Sequence, residues 1–167
     1  MEFSRLTECS FPELTKLKLP LQSGAVQAID SSRCRFIEEH PTIEDLFWHP
    51  IGVVSLSPQS LPVLKRLSTS HQLLGILEDV AYPRFIECLD VQSLGSHMFP
   101  NLKNLDRGRL RKLKLHSFGD LASIYQLAEL FPALTWLSMP KYRTPPHAIG
   151  PISLGLVCVL FLFSRSR

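Results

Sequence analysis

The stretch Leu110-Arg111-Lys112-Leu113-Lys114-Leu115 carries apolar residues at its first, fourth and sixth positions and cations between them. In an extended strand successive side chains point to opposite faces, so Leu113 and Leu115 share one face and Lys112 and Lys114 the other. Working outward, the same comb is found at Leu14, Leu17 and Leu19; at Ile43, Leu46 and Trp48; and at Leu64, Leu67 and Thr69. It returns at Ile86, Leu89 and Val91, and again at Leu134, Leu137 and Met139. Successive runs begin 29, 21, 22, 24 and 24 residues apart, and only Thr69 weakens the third apolar position.

A short strand that buries one face needs a second segment to return the chain for the next parallel strand, and helices commonly serve. Residues 120–130 place Leu121, Ile124, Tyr125 and Ala128 on one helical face, with Asp120 as N-cap and Pro132 as stop. Ser70 is expected to cap a helix carrying Leu73, Ile76, Leu77 and Val80. Asp30 or Ser31 is expected to cap one carrying Cys34, Phe36 and Ile37 that ends before Pro41. A short phrase precedes the strands: Phe11-Pro12, His40-Pro41, Leu61-Pro62, Tyr82-Pro83, Phe99-Pro100 and Phe131-Pro132. Proline suits it, ending a helix and lacking the amide that a continuing ladder would need.

Period and comb together are those of leucine-rich repeats. They predict an α/β fold over residues 1–147: a short solenoid of about six irregular repeats, parallel strands on its concave face and helices on its convex face. Two features depart from regular repeats. The ninth position, often asparagine, is Gln22, Ile51, Gln72, Leu94, Phe118 and Tyr142, so the loops must satisfy their backbone groups otherwise. The run from Phe99 to Leu105 also reads as a strand start only eight residues before Leu110, and both registers cannot hold strands.

The phrase Phe36-Ile37-Glu38-Glu39-His40-Pro41-Thr42-Ile43-Glu44-Asp45-Leu46-Phe47-Trp48 resembles the leucine-rich-repeat region of fungal F-box proteins, where a helix ends in His-Pro and the next strand ends in Trp. Phe11-Pro12-Glu13-Leu14 and Phe131-Pro132-Ala133-Leu134-Thr135-Trp136-Leu137 are similar, and the resemblance runs over roughly residues 9–142. It implies substrate recognition in a cullin-type ubiquitin ligase. The F-box, the helical module that docks the ligase adaptor, is not evident here, so adaptor docking is expected only if an F-box is missing from this chain.

Composition bounds the rest. The 167 residues are 45% hydrophobic and 20% charged, as in a folded core, and the net charge of +3 is too small to point to nucleic acid. The cysteines, Cys9, Cys34, Cys88 and Cys158, form no C-x-x-C pair, which fits a reducing compartment, and no secretory signal opens the chain. These features point to the cytoplasm or nucleus. Residues 148–167 form a separate apolar segment with a basic end; the uncharged run 148–163 is short for a membrane span and holds Gly150, Pro151 and Gly155. It reads as a buried last element, with a tail anchor as the alternative.

No zinc spacing, nucleophile elbow, P-loop or dinucleotide motif occurs, so neither an enzyme nor a cofactor is expected. His40 and His49 read as loop residues, and Glu38 and Glu39 as solvated. What remains is a surface. In the expected register the exposed strand positions are Lys16, Asp45, Arg66, Cys88, Lys112 and Trp136 in one row, and Lys18, Phe47, Ser68, Asp90, Lys114 and Ser138 in the next. Lys16 with Asp45, and Asp45 with Arg66, make a self-neutralising ladder that favours solubility more than stability. The sharper reading is a site for an unidentified protein: Phe47 and Trp136, three strands or about 14 Å apart, flanked by Lys16, Lys18, Asp45, Arg66, Asp90, Lys112 and Lys114. Arg109, Arg111, Lys112 and Lys114 are the densest basic patch. The function expected is a non-catalytic protein-binding module of the F-box type. The alternatives are a membrane-tethered scaffold held by 148–163, and a truncated gene product without independent function.

Overall fold

The computed structural model describes residues 9–19, 31–51, 54–74, 85–92, 99–102, 105–117 and 122–139. Six strands form one parallel sheet in chain order: β1 (Lys16–Lys18), β2 (Asp45–Trp48), β3 (Arg66–Thr69), β4 (Cys88–Val91), β5 (Lys112–Leu115) and β6 (Trp136–Ser138). The register puts Leu17, Leu46, Leu67, Leu89, Leu113 and Leu137 side by side. The four central leucines are buried and the two outer ones half-buried. Ile43, Leu64, Ile86, Leu110 and Leu134 form a second buried row, and Leu19, Trp48, Thr69, Val91 and Leu115 a third. Thr69, the weak position of the comb, therefore does face inward: it lies opposite Trp48, fully buried, with its hydroxyl unpaired. A small threonine thus sits beside the bulkiest side chain in the row, at the cost of an unsatisfied hydroxyl.

Each strand from β2 to β6 begins from the same hydrogen-bonded joint. The carbonyl of Thr15 accepts from the amides of Glu44 and Asp45; those of Glu44, Lys65, Glu87 and Arg111 accept the matching pair on the next strand, all at 2.8–3.1 Å. Just before, the proline phrase closes a turn: the amides of Leu14, Ile43, Leu64 and Leu134 donate to the carbonyls of Phe11, His40, Leu61 and Phe131 at 3.0–3.3 Å. Proline thus occupies the second position of a four-residue turn, where its fixed φ is already correct. Leu61 reaches its turn with φ at 56°, a left-handed conformation that only its full burial makes worthwhile for leucine. The doubled register at 99–115 resolves in favour of Leu110. Phe99–Leu102 is instead a short helix, and the turn before β5 is made by Asp106 and Gly108 without proline.

The return segments are less uniform than the strands. Helix α1 (Ser31–Glu38) buries Cys34, Phe36 and Ile37 as the pattern predicts. In α2 (His71–Leu74) Leu73 and Leu74 are buried, but the Ser70 hydroxyl donates to the Pro50 carbonyl at 2.9 Å. Phe99–Leu102 is α3, and α4 is Ala122–Leu130. In α4 Leu127 is buried, one turn before the buried Phe131, and Ala128 of the expected face is exposed; the side chains of Ile124 and Tyr125 lie outside the described residues. Among the described residues of the β2–β3 connection there is no helix, and turns return the chain. With no asparagine ladder, Ser70 and Ser117 supply hydroxyls to the carbonyls of Pro50 and Gln92 in the preceding unit.

His40 and Glu38, read from sequence as a loop residue and a solvated carboxylate, tie units together. His40 is buried: its Nδ1 donates to the Phe36 carbonyl at 2.6 Å, and its Nε2 accepts from the Phe11 amide at 2.9 Å. The tautomer protonated at Nδ1 satisfies both. Glu38 accepts from the Ser57 amide and the Ser60 hydroxyl, while Glu39 pairs with Arg35 at 2.8 Å. Residues 148–167, the 76–80 part of the second expected helix, Asp120, Leu121, Tyr82-Pro83, and the ninth-position Gln22, Leu94, Phe118 and Tyr142 lie outside the described residues. Among the described residues no helix is long and apolar enough to cross a membrane.

Candidate functional site

Alternation along the strands sends the residues between the leucines to the other side of the sheet, and parallel pairing brings them into two rows. Lys16, Asp45, Arg66, Cys88, Lys112 and Trp136 are successive register partners, as are Lys18, Phe47, Ser68, Asp90, Lys114 and Ser138. Every residue named from sequence as a protein-binding candidate therefore lies on one surface. An open hollow of about 440 Å³ runs along it from Lys16 on β1 to Trp136 on β6. Phe47 and Trp136 stand four inter-strand steps apart, with three strands between them. That is about 19 Å rather than the 14 Å expected.

The charge ladder is asymmetric. Asp45 is shared by Arg66 at 3.0 Å and, more loosely, by Lys16 at 3.8 Å. Asp90 is shared by Lys114 at 3.2 Å and by the His116 ring at 2.8 Å. The Asp45 carboxylate holds the Arg66 guanidinium above its ordinary pKa, through attraction and a direct hydrogen bond. The Lys18 ammonium sits 5.0 Å from the Phe47 ring centre, and the Phe47 edge meets His49 at 4.8 Å. Phe47 is thus partly covered by its own neighbours, whereas Trp136 is openly exposed. Lys112, next to Trp136 in the register, has no ion-pair partner among the described residues.

Sequence reasoning left His49 and His116 out of the site. Both stand two residues beyond the last outward strand position and keep its parity, so extending the alternation by one step would have found them. His49 Nε2 lies 3.2 Å from the Ser68 hydroxyl and His116 Nε2 2.8 Å from Asp90. Burial pushes the His49 ring below its ordinary pKa; Asp90 opposes that shift and His116 adds to it. The basic patch divides: Arg109 is held by Asp106 at 3.3 Å and lies over the Phe85 ring at 4.5 Å, away from the hollow. Lys112 and Lys114 line the hollow itself. Among the described residues no group of three or more His, Cys, Asp or Glu side chains is arranged to hold a metal ion. Comparison with protein-family models, curated proteins and solved structures returns no match for the chain.

Proposed function

We infer that the chain is a leucine-rich-repeat solenoid that binds another protein through the outward face of its sheet. One observation carries this reading. Six strands place two continuous rows of polar and aromatic side chains along one open hollow, on the face opposite the leucines. Such a surface is wider than a small ligand needs and presents both anchors and charges, as protein interfaces do. The resemblance of residues 36–48 to fungal F-box proteins supports a ligase substrate as the bound protein.

The test is affinity capture from cell lysate by the full chain and by a Phe47→Ala, Trp136→Ala double variant, with thermal melting to show that the variant folds. A partner captured by the first and lost by the second fits the reading. Equal capture of every partner by both would remove the site. Ubiquitination of the captured protein that depends on the chain, measured in the same cells, tests the ligase role separately.

A further inference from the structure

We propose that the partner's contribution to this face is an acidic, extended segment, laid across the strands with an apolar side chain against Trp136. The proposal rests on the protein-binding reading above and adds the chemistry of what is bound.

The argument starts from depth. The carboxylate side chain of Asp45 is only 24% exposed, whereas Lys16 and Arg66, which flank it, are 74% and 60% exposed. Asp90, at 28%, lies beneath Lys114 and His116, at 42% and 47%. The two anions are therefore sunk, and the basic side chains that clasp them stand outward. Asp45 is shared between two cations, Lys16 and Arg66, so that group is not neutral as a unit, while Asp90 is matched by Lys114 with the His116 ring beside it. Ammonium and guanidinium groups also keep donors beyond those the carboxylates use. Lys112 adds an exposed charge with no ion-pair partner among the described residues. The two rows hold five cations against two carboxylates, an excess of three. A basic segment would meet like charge along most of the hollow.

Spacing separates a peptide from a nucleic-acid duplex. Six strands span about 24 Å. An extended peptide turns every second side chain toward the face, about one per 6.6 Å, so it offers three or four carboxylates over that span. A strand of a duplex offers about one phosphate per 3.4 Å of axis, or about seven, which is more than twice the excess charge available; an extended single strand is distinguished by the thymidine probe below. The apolar contact follows from Trp136, which is 41% exposed beside Lys112.

The probes are fluorescein-labelled dodecapeptides of alternating Glu and Ser with a central Leu, their Gln-Ser and Lys-Ser counterparts, and a thymidine dodecamer, titrated against the full chain by fluorescence anisotropy at low and high salt. We expect the Glu peptide to bind about tenfold or more tighter than the Gln peptide, to weaken with salt, and to lose about tenfold in Lys112→Glu. Lys112→Gln, a milder change, should lose part of that affinity while melting as the parent does. The Glu peptide should also slow maleimide labelling of Cys88, which lies in the hollow, and leave labelling of the exposed Cys9 unchanged. Equal binding of the Gln or Lys peptide, lost in Trp136→Ala, would overturn the acidic partner and keep the protein-binding reading. Binding by no peptide at all would overturn the proposal and leave the protein-binding reading to the capture experiment above. Tighter binding of the thymidine strand would overturn the proposal in favour of nucleic acid, and undiminished Cys88 labelling under saturating Glu peptide would overturn its placement.

Discussion

Leu46 and Asp45 are neighbours on β2, yet their register partners behave in opposite ways. Inward, leucine follows leucine across all six strands; outward, the row reads Lys, Asp, Arg, Cys, Lys and Trp, and no two adjacent strands carry the same residue. Dense packing constrains the first row, because a change of one methylene there leaves a void or a clash. Water fills in around the second row, so its residues are free to be chosen for what they touch. Stability is thus written on one side of the sheet and the recognition proposed above on the other, and substitutions can separate them.

The largest effect should come from the inward row. Leu67→Ala should cost about 3 kcal/mol of unfolding free energy in urea, since Leu67 is buried among like side chains; a loss below about 1 kcal/mol would mean that the row is not a packed core. Next is His40→Ala, which leaves the Phe11 amide and the Phe36 carbonyl without their partner. A loss of about 2 kcal/mol is expected by the same measurement. Thr69→Val should go the other way, raising stability by about 1 kcal/mol, because it keeps the shape opposite Trp48 and removes an unpaired buried hydroxyl. On the outward row Lys112→Ala should move stability by no more than about 0.5 kcal/mol, and a larger change would blur the division between the faces.

The smallest effect is that of pH at His49. Its folded pKa is lowered, chiefly by burial, from the ordinary value of 6.5. The unfolded chain therefore takes up the proton first, and this contribution to stability is full above the ordinary value and lost as pH falls through the window just below it. An NMR titration should place the His49 midpoint below 6.5, and His49→Gln should flatten that part of the stability profile. A midpoint at 6.5 would show the ring to be solvated, and one above it would show that Asp90 outweighs burial.

Strand positions were legible from the spacing of leucines alone, because alternation and parallel pairing leave few registers that bury every comb. The outward rows followed from the same parity. What escaped was set by partners remote in sequence. Nothing local to His40 says that its ring will reach the amide of Phe11, 29 residues earlier. Nor does the charge pattern say that Asp45 and Asp90 will lie beneath their cations; that depends on side-chain length, since a short carboxylate stays near the sheet while lysine and arginine extend past it. In α4 the inward position is Leu127 and Ala128 of the expected face is exposed, because a period of 3.6 leaves adjacent positions nearly equivalent until a neighbour such as Phe131 decides.

Strand order that equals chain order turns the molecule into a row of similar links. Each strand pairs only with those formed just before and just after it, and every pairing closes a loop of nearly the same length, 21 to 29 residues. The entropic penalty is then nearly equal at each step, and ordering spreads along the row as in a zipper. Among the described strands, the outer links, where Leu17 and Leu137 are only half-covered, are expected to open before the middle links from β2 to β5.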